Sequence, residues 1–192
     1  MIDKISEYSF INKIGEESTH LIKRKEIKNF PRKYIPDDLK LFLKNFKAEK
    51  GNIYVLNSAL GSGEFWGTNS RGDRFPESGL IHRGSQWGYD TYNYYGSLFR
   101  HHINKDVLNS YGEVVLSSWD PELHRVLLVI KIPIEKKNED IIQRINNDEP
   151  IETSMASKQP YDICSICGNI SKRISDHCSH INNELLNIYP DG

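Results

Sequence analysis

The residues of this chain best equipped for chemistry are three thiols and two imidazoles gathered near its end. "YDICSICGNI" holds Cys164-x-x-Cys167-Gly168, and "HCSH" follows with His177, Cys178 and His180. Two thiolates on a tight turn, with glycine just after the second, match the arrangement that presents sulfur to zinc. A closed tetrahedral site needs two more donors. Cys178 with His180 is the natural pair, and His177 is the substitute. All three cysteines are then explained together; the plainer alternative is three unrelated buried thiols. Four protein ligands leave no open position for a catalytic water, so the expected cofactor is a structural Zn2+. It would staple a segment that has little apolar material to fold on its own. The surrounding "SICGNISKRISDHCSHINNE" is only mildly basic and lacks aromatic residues for stacking, so a nucleic-acid-binding knuckle is disfavoured.

A second kind of chemistry is less sharply marked. Of the seven histidines, His101 and His102 form the one adjacent pair, at the end of a strand-like run. Neighbours on a strand point to opposite faces, so at most one of them can line a given site. A histidine acts as a general base only with a nucleophile in reach. Serines are plentiful, Ser154 in "IETSMASK" among them, and no G-x-S-x-G elbow singles one out. Residue chemistry alone chooses no nucleophile.

The elements that must position these groups follow from pattern. "PDDLKLFLKNFKAEKG" (36–51) predicts a helix. Pro36 and two aspartates open it, Leu39, Leu41, Phe42, Leu43 and Phe46 are spaced for one face, and Gly51 suits its stop. "NIYVLNSAL" (52–60) predicts a strand, followed by a glycine-rich polar loop, "GSGEFWGTNSRGDRFPE". "YYGSLFRHH" (94–102) predicts a second strand. Two β-branched runs around Asp120-Pro121, within 111–132, predict a hairpin. "NEDIIQRINN" (138–147) predicts a short helix with asparagine at the cap position and acids in its first turn. "IETSMASK" predicts a further strand, and the residues after 160 read as turn-rich. Several strands with few helices imply an α+β or mainly-β, barrel-like domain.

Composition sets the outer bounds. The chain has 192 residues, room for one domain with small appendages, and its 38% hydrophobic content implies a modest core. Net charge is −1, which gives no bulk argument for nucleic acid or membrane partners. Residues 1–50 hold 12 Lys or Arg against 8 Asp or Glu, leaving 13 against 18 of the totals of 25 and 26. A basic N-terminal arm and helix (1–50), a β core (51–160) and a knuckle with tail (161–192) are the expected parts. No stretch approaches the ~18 apolar residues of a membrane helix. "MIDKISEYSF" lacks the pattern of a signal peptide. Three cysteines clustered within fifteen residues suit a metal site in a reducing compartment, with the cytoplasm as the default.

Three stretches, taken in order, resemble the prohead (capsid maturation) serine proteases of tailed bacteriophages, whose fold is related to that of the herpesvirus assemblins. "GTNSRGDRFPESGL" is similar to an N-x-x-G-D-x-F-P-E segment of a large-phage branch. "YGSLFRHHINKDVLNSYGEVV" resembles the family's strand ending in histidine, its N-K-D turn and the glycine that opens the next strand. "IETSMASKQPYDICSICG" is similar to the strand that carries a Ser-Met-Gly or Ser-Ile-Gly nucleophile, followed in that branch by a C-x-x-C knot. The resemblance spans roughly residues 52–182. It implies an assemblin-type β-barrel-like core with a few flanking helices and a small zinc-bound loop. Ser154 matches the nucleophile, and His102 the general base, since the H-x-N-x-D pattern lands on His102, Asn104 and Asp106.

The implied activity is peptide hydrolysis through an acyl-enzyme. Scaffold and major capsid proteins would be the substrates, self-cleavage included, inside the assembling prohead in the host cytoplasm. Neither a membrane nor a nucleic-acid partner is expected, and homo-oligomerisation is left open. Ala156 departs from the family's glycine, and Val107 from its proline. The family continues with a further strand bearing an acidic residue that orients the histidine. This chain ends at "LLNIYPDG", so a fragment or processed form is one expectation and a third member elsewhere is the other, with Asp106, Asp120 and Asp162 available.

Overall fold

The structure, a computed structural model, describes residues 35–68, 74–82, 88–100, 103–147, 149 and 160–184. It is mixed α+β. Among the described residues one antiparallel sheet of four strands curls into a half-barrel, and a separate two-stranded hairpin lies near the C-terminus. In chain order the elements are α1 (Asp37–Asn45), β1 (Asn52–Gly61), α2 (Gly63–Trp66), α3 (Glu77–Leu80), α4 (Tyr92–Tyr95), β2 (Ser97–Leu98), β3 (Gly112–Asp120), β4 (Arg125–Pro133), α5 (Glu139–Asn146), β5 (Asp162–Ile163), β6 (Ile170–Ser171) and α6 (Ser179–Asn183).

The sheet order is β1-β4-β3-β2, so the last long strand in sequence lies in the middle. The reason is visible in "RVLLVIKIP". A continuous apolar run can be buried on both faces, which is what a central strand requires. Val126, Leu128, Ile130 and Ile132 pack with Ile53, Val55, Tyr89 and Ile145 on one face. Leu127 and Val129 pack with Tyr54 and Leu39 on the other, under Phe42, Leu43 and Phe46. Helix α1 thus covers one side of the sheet, and α5 with the Tyr89 turn covers the other. Register shifts between Ser58 and Leu60 on β1, and between Val114 and Leu116 on β3, add a residue to each flanking strand. Bulges of this kind increase twist and bend, which accounts for the curl.

The helix expected over 36–51 forms but ends at Asn45. Phe46 is extended (φ −69°, ψ 132°), and its ring meets Tyr54 edge-on at 4.6 Å and Phe42 at 5.1 Å. Packing of 46–50 against β1 therefore outweighs helix propensity, and the Tyr54 hydroxyl accepts the Glu49 N–H at 3.3 Å. Asp38 does more than favour a helix start. It accepts a hydrogen bond from Ser118 Oγ on β3 at 2.5 Å, fixing α1 to the sheet.

The expected hairpin is present. Asp120 is fully buried, and its Oδ1 accepts the N–H groups of Glu122 and Leu123, both at 2.9 Å. Lys131 lies across from Glu113 and bridges it at 3.2 Å and Glu49 at 2.8 Å. The bond to Glu49 is the main cause that raises the lysine pKa above its ordinary value. Of the strand expected over 94–102, among the described residues only Ser97–Leu98 pairs with β3, and Tyr92–Tyr95 is helical. Helix α5 starts where expected, with Asn138 at its cap position. The Asn138 side chain makes no cap bond there and instead donates to the carbonyls of Tyr111 (3.0 Å) and Pro133 (2.7 Å). The strand expected over 151–158 lies outside the described residues.

Candidate metal centre

The knuckle is built on a two-pair hairpin. Asp162 faces Ser171 and Ile163 faces Ile170. Beyond Ile163 the chain turns on itself, with Cys164 N–H donating to Asn169 O and Gly168 N–H to Cys164 O, both at 2.9 Å. Gly168 sits at φ +70°, a left-handed conformation that a side chain would strain. This is the reason glycine follows the second thiol. The second half of the site comes from α6. Cys178 precedes its first residue, and its carbonyl accepts the Asn182 N–H at 3.0 Å, which places His180 within the first turn. Asn169 Nδ2 and Ser171 Oγ both donate to the Asp176 carbonyl, at 3.0 and 3.2 Å, tying the hairpin to the approach to α6.

These constraints gather Cys164, Cys167, Cys178 and His180 so that their ligand atoms all lie within 4.8 Å of one another. His180 turns Nδ1 toward the thiols, 3.9 Å from Cys164 Sγ and 3.8 Å from Cys178 Sγ. Zinc bonds of about 2.3 Å to sulfur and 2.0 Å to nitrogen, arranged tetrahedrally, put two sulfurs about 3.8 Å apart and a sulfur and a nitrogen about 3.5 Å apart. The cluster is close to that spacing, so the four residues fit a tetrahedral metal ion. Three thiolates and an imidazole are a donor set suited to zinc and other thiophilic ions.

The thiols are not equivalent. The Cys164 thiol is pulled down to about 6, first by the Cys167 backbone N–H, with the Ile166 N–H adding to it against the cost of burial. At Cys167 the Asn169 N–H acts in the same sense, but burial and the neighbouring thiols of Cys178 and Cys164 outweigh it. Its pKa lies above the ordinary value. Backbone N–H groups aimed at sulfur are how a knuckle turn favours thiolate, the form that binds metal.

Four of the residues expected at the site are therefore brought together, and the open choice of imidazole falls to His180. His177 points elsewhere, with Nε2 3.3 Å from Asp162 Oδ2. Ser154, Ala156 and His102 lie outside the described residues. Among the acids considered as a third catalytic member, Asp120 caps the β3–β4 turn, Asp162 meets His177, and Asp106 Oδ1 accepts the Leu108 N–H at 3.0 Å.

A second polar cluster went unread in the sequence. Glu77 Oε2 is 2.7 Å from His124 Nδ1 and accepts from Ser62 Oγ at 3.2 Å, while Phe65 lies flat on the His124 ring at 3.2 Å. Trp66 donates to Leu123 O at 2.8 Å under the Arg125 guanidinium. Together these contacts tie α2 and α3 to the β3–β4 turn, so the expected polar loop carries helical turns. A side chain at Gly61 would collide with Trp66, its Cβ falling 2.5 Å from the indole. The aromatic pair in a glycine-rich stretch was the one available signal.

No helix among the described residues is long and apolar enough to cross a membrane. No family model matches the chain, and neither the curated proteins nor the solved structures yield a match.

Proposed function

We propose that this chain is a serine endopeptidase of the prohead type, acting on phage scaffold and capsid proteins during head maturation, with an assemblin-type core. The observation that carries the reading is order along the chain. The histidine stretch follows β2 and precedes β3, the Ser154 stretch follows α5, and the Cys3His cluster closes directly beyond it, in the sequence that the resemblance implies. The curled antiparallel sheet is the kind of rigid frame on which neighbouring strands carry a nucleophile and its base.

In this reading His102 takes the Ser154 hydroxyl proton as Oγ attacks the scissile carbonyl. The same proton goes to the departing amine, and a water then releases the acyl group. Backbone N–H groups beside the nucleophile stabilise the oxyanion. Zn2+ held by Cys164, Cys167, Cys178 and His180 has a structural role and takes no part in these steps.

Ser154→Ala and His102→Ala are each expected to abolish cleavage of the cognate scaffold by a folded protein. Wild-type cleavage by Ser154→Ala overturns the assignment. One observation favours a second reading, a zinc-stapled scaffold- or capsid-binding protein without activity: Ala156 replaces the glycine that permits close backbone approach near the oxyanion. A serine-directed phosphonate separates the two, since the enzyme gains its mass on Ser154 and the binding protein does not.

A further inference from the structure

The knuckle has almost nothing inside it except its cluster. Within residues 160–184 only Cys164 and Ser171 are buried, while Tyr161, Ile163, Ile166, Ile170 and Ile174 are exposed. Apart from the Cys164 side chain, then, no apolar group of the segment is buried. Its other links are short-range: two cross-strand pairs, the turn from Cys164 to Gly168, and the Asn169 and Ser171 bonds to the Asp176 carbonyl. Burial does not hold such a unit. Its order depends on four donors binding a metal ion, and so on three sulfurs staying reduced.

The three thiols are free, and they differ in their access to solvent. Cys167 is exposed, Cys178 is half-buried and Cys164 is 5% exposed. All three sulfurs lie within 4.8 Å of one another. An oxidant arriving from solvent therefore meets Cys167 first, with two further thiols beside it to resolve the product.

We propose that Cys167 is a reversible oxidation site for hydroperoxides, and that its oxidation releases the metal ion and unfastens the knuckle. The Cys167 thiolate attacks one oxygen of hydrogen peroxide. An S–O bond forms, the O–O bond breaks, and the departing hydroxide takes a proton from solvent. The thiolate of Cys164 or Cys178 then attacks the sulfenic sulfur, an S–S bond forms, and a second hydroxide leaves and is protonated. The two sulfurs have together lost two electrons, and the peroxide, with two protons, has become two waters. One thiolate and His180 remain as donors, too few for a closed tetrahedral site. A thiol reductant with Zn2+ restores the set. The proposal rests on the four residues holding zinc and is independent of any chemistry at Ser154.

The test treats the full zinc-loaded chain with hydrogen peroxide and follows zinc release with a colorimetric chelator. Release of about one zinc per chain is expected, with loss of two of the three free thiols. Mass-spectrometric mapping is expected to find Cys167 in the disulfide, and dimedone present during oxidation to add to Cys167. Hydrogen-exchange protection over 160–184 is expected to vanish, and to return on treatment with dithiothreitol and Zn2+. Cys167→His keeps four donors but removes the exposed thiol, so it is expected to hold zinc and release it about tenfold more slowly. Zinc retained by the wild-type chain after thiol loss overturns the proposal, as does a Cys164–Cys178 disulfide or a failure of dithiothreitol to reverse the change. Wild-type release from zinc-loaded Cys167→His overturns it too. If that variant binds no zinc, dimedone labelling of the wild type decides, and an adduct on Cys164 or Cys178 in place of Cys167 overturns the proposal. Elemental analysis before oxidation tests the metal assignment by itself. A chain that loads no zinc fails both readings, whereas one that loads zinc and resists peroxide fails only the oxidation.

Discussion

Strand β4 and the β5–β6 hairpin are both rich in isoleucine, yet they use it in opposite ways. In β4 every residue from Arg125 to Ile130 is buried, and Ile132 is 1% exposed; in the hairpin the paired isoleucines lie largely in solvent. The sheet has helices on both faces and gains its stability by removing apolar surface from water, at about 25 cal/mol per Å². The hairpin has two residue pairs, too few to stand alone in water. Its organising features are the backbone turn and the cluster of Cys164, Cys167, Cys178 and His180, which could hold a metal ion. One region is held by burial and the other gathers four residues that could be held by a metal ion, so the same residue type is core in the first and surface in the second.

The sharpest way to break this comparison is to deny the Cys3His cluster a metal ion. Structural zinc in small modules contributes about 10–16 kcal/mol of apparent binding free energy that is also folding free energy. Cys178→Ser, or a strong chelator, is therefore expected to abolish hydrogen-exchange protection across 160–184 while protection of β3 and β4 persists. Elemental analysis of the untreated chain should give about one zinc per molecule. Equal loss of protection in sheet and knuckle would show that the two are one cooperative unit.

The converse experiment is a cavity in the sheet. Ile132→Ala is expected to cost about 3 kcal/mol in urea unfolding, within the range for truncating a buried isoleucine, and to leave the zinc content unchanged. Asn138 tests the polar side of the same core. Its side chain is buried and serves the Tyr111 and Pro133 carbonyls, so Asn138→Ala should cost about 1–3 kcal/mol by the same measurement. The smallest effect is expected at the hairpin surface, where Ile163→Ala should change stability by no more than about 0.5 kcal/mol. A cost near that of Ile132→Ala would mean that Ile163 is a core residue after all.

Local pattern carried much of this architecture. The helix at α1, the strand at β1, the β3–β4 hairpin and α5 were legible because period, turn residues and cap positions agree over short spans. The candidate metal ligands were legible for a related reason: a C-x-x-C turn followed by Gly168 needs only local geometry to point both thiols one way. What failed did so where distant contacts compete with local preference. Phe46 leaves the helix for Tyr54, Asn138 leaves its cap for two carbonyls, and Glu77 reaches His124 across 47 positions. No window of sequence contains both partners of such a contact.

The amino-acid sequence by itself determined that the chain has an apolar strand able to be buried on both faces, a turn built to point two thiols the same way, and a third thiol with an imidazole close behind. These are properties of residue order and backbone preference, and they hold whatever surrounds them. Only the tertiary structure decided that β4 lies between β1 and β3 and that His180, with His177 engaged by Asp162, completes the cluster. It also decided that the isoleucines of the hairpin face outward. Each of these outcomes depends on which elements meet in space, where packing and pairing between distant residues settle what local preference leaves open.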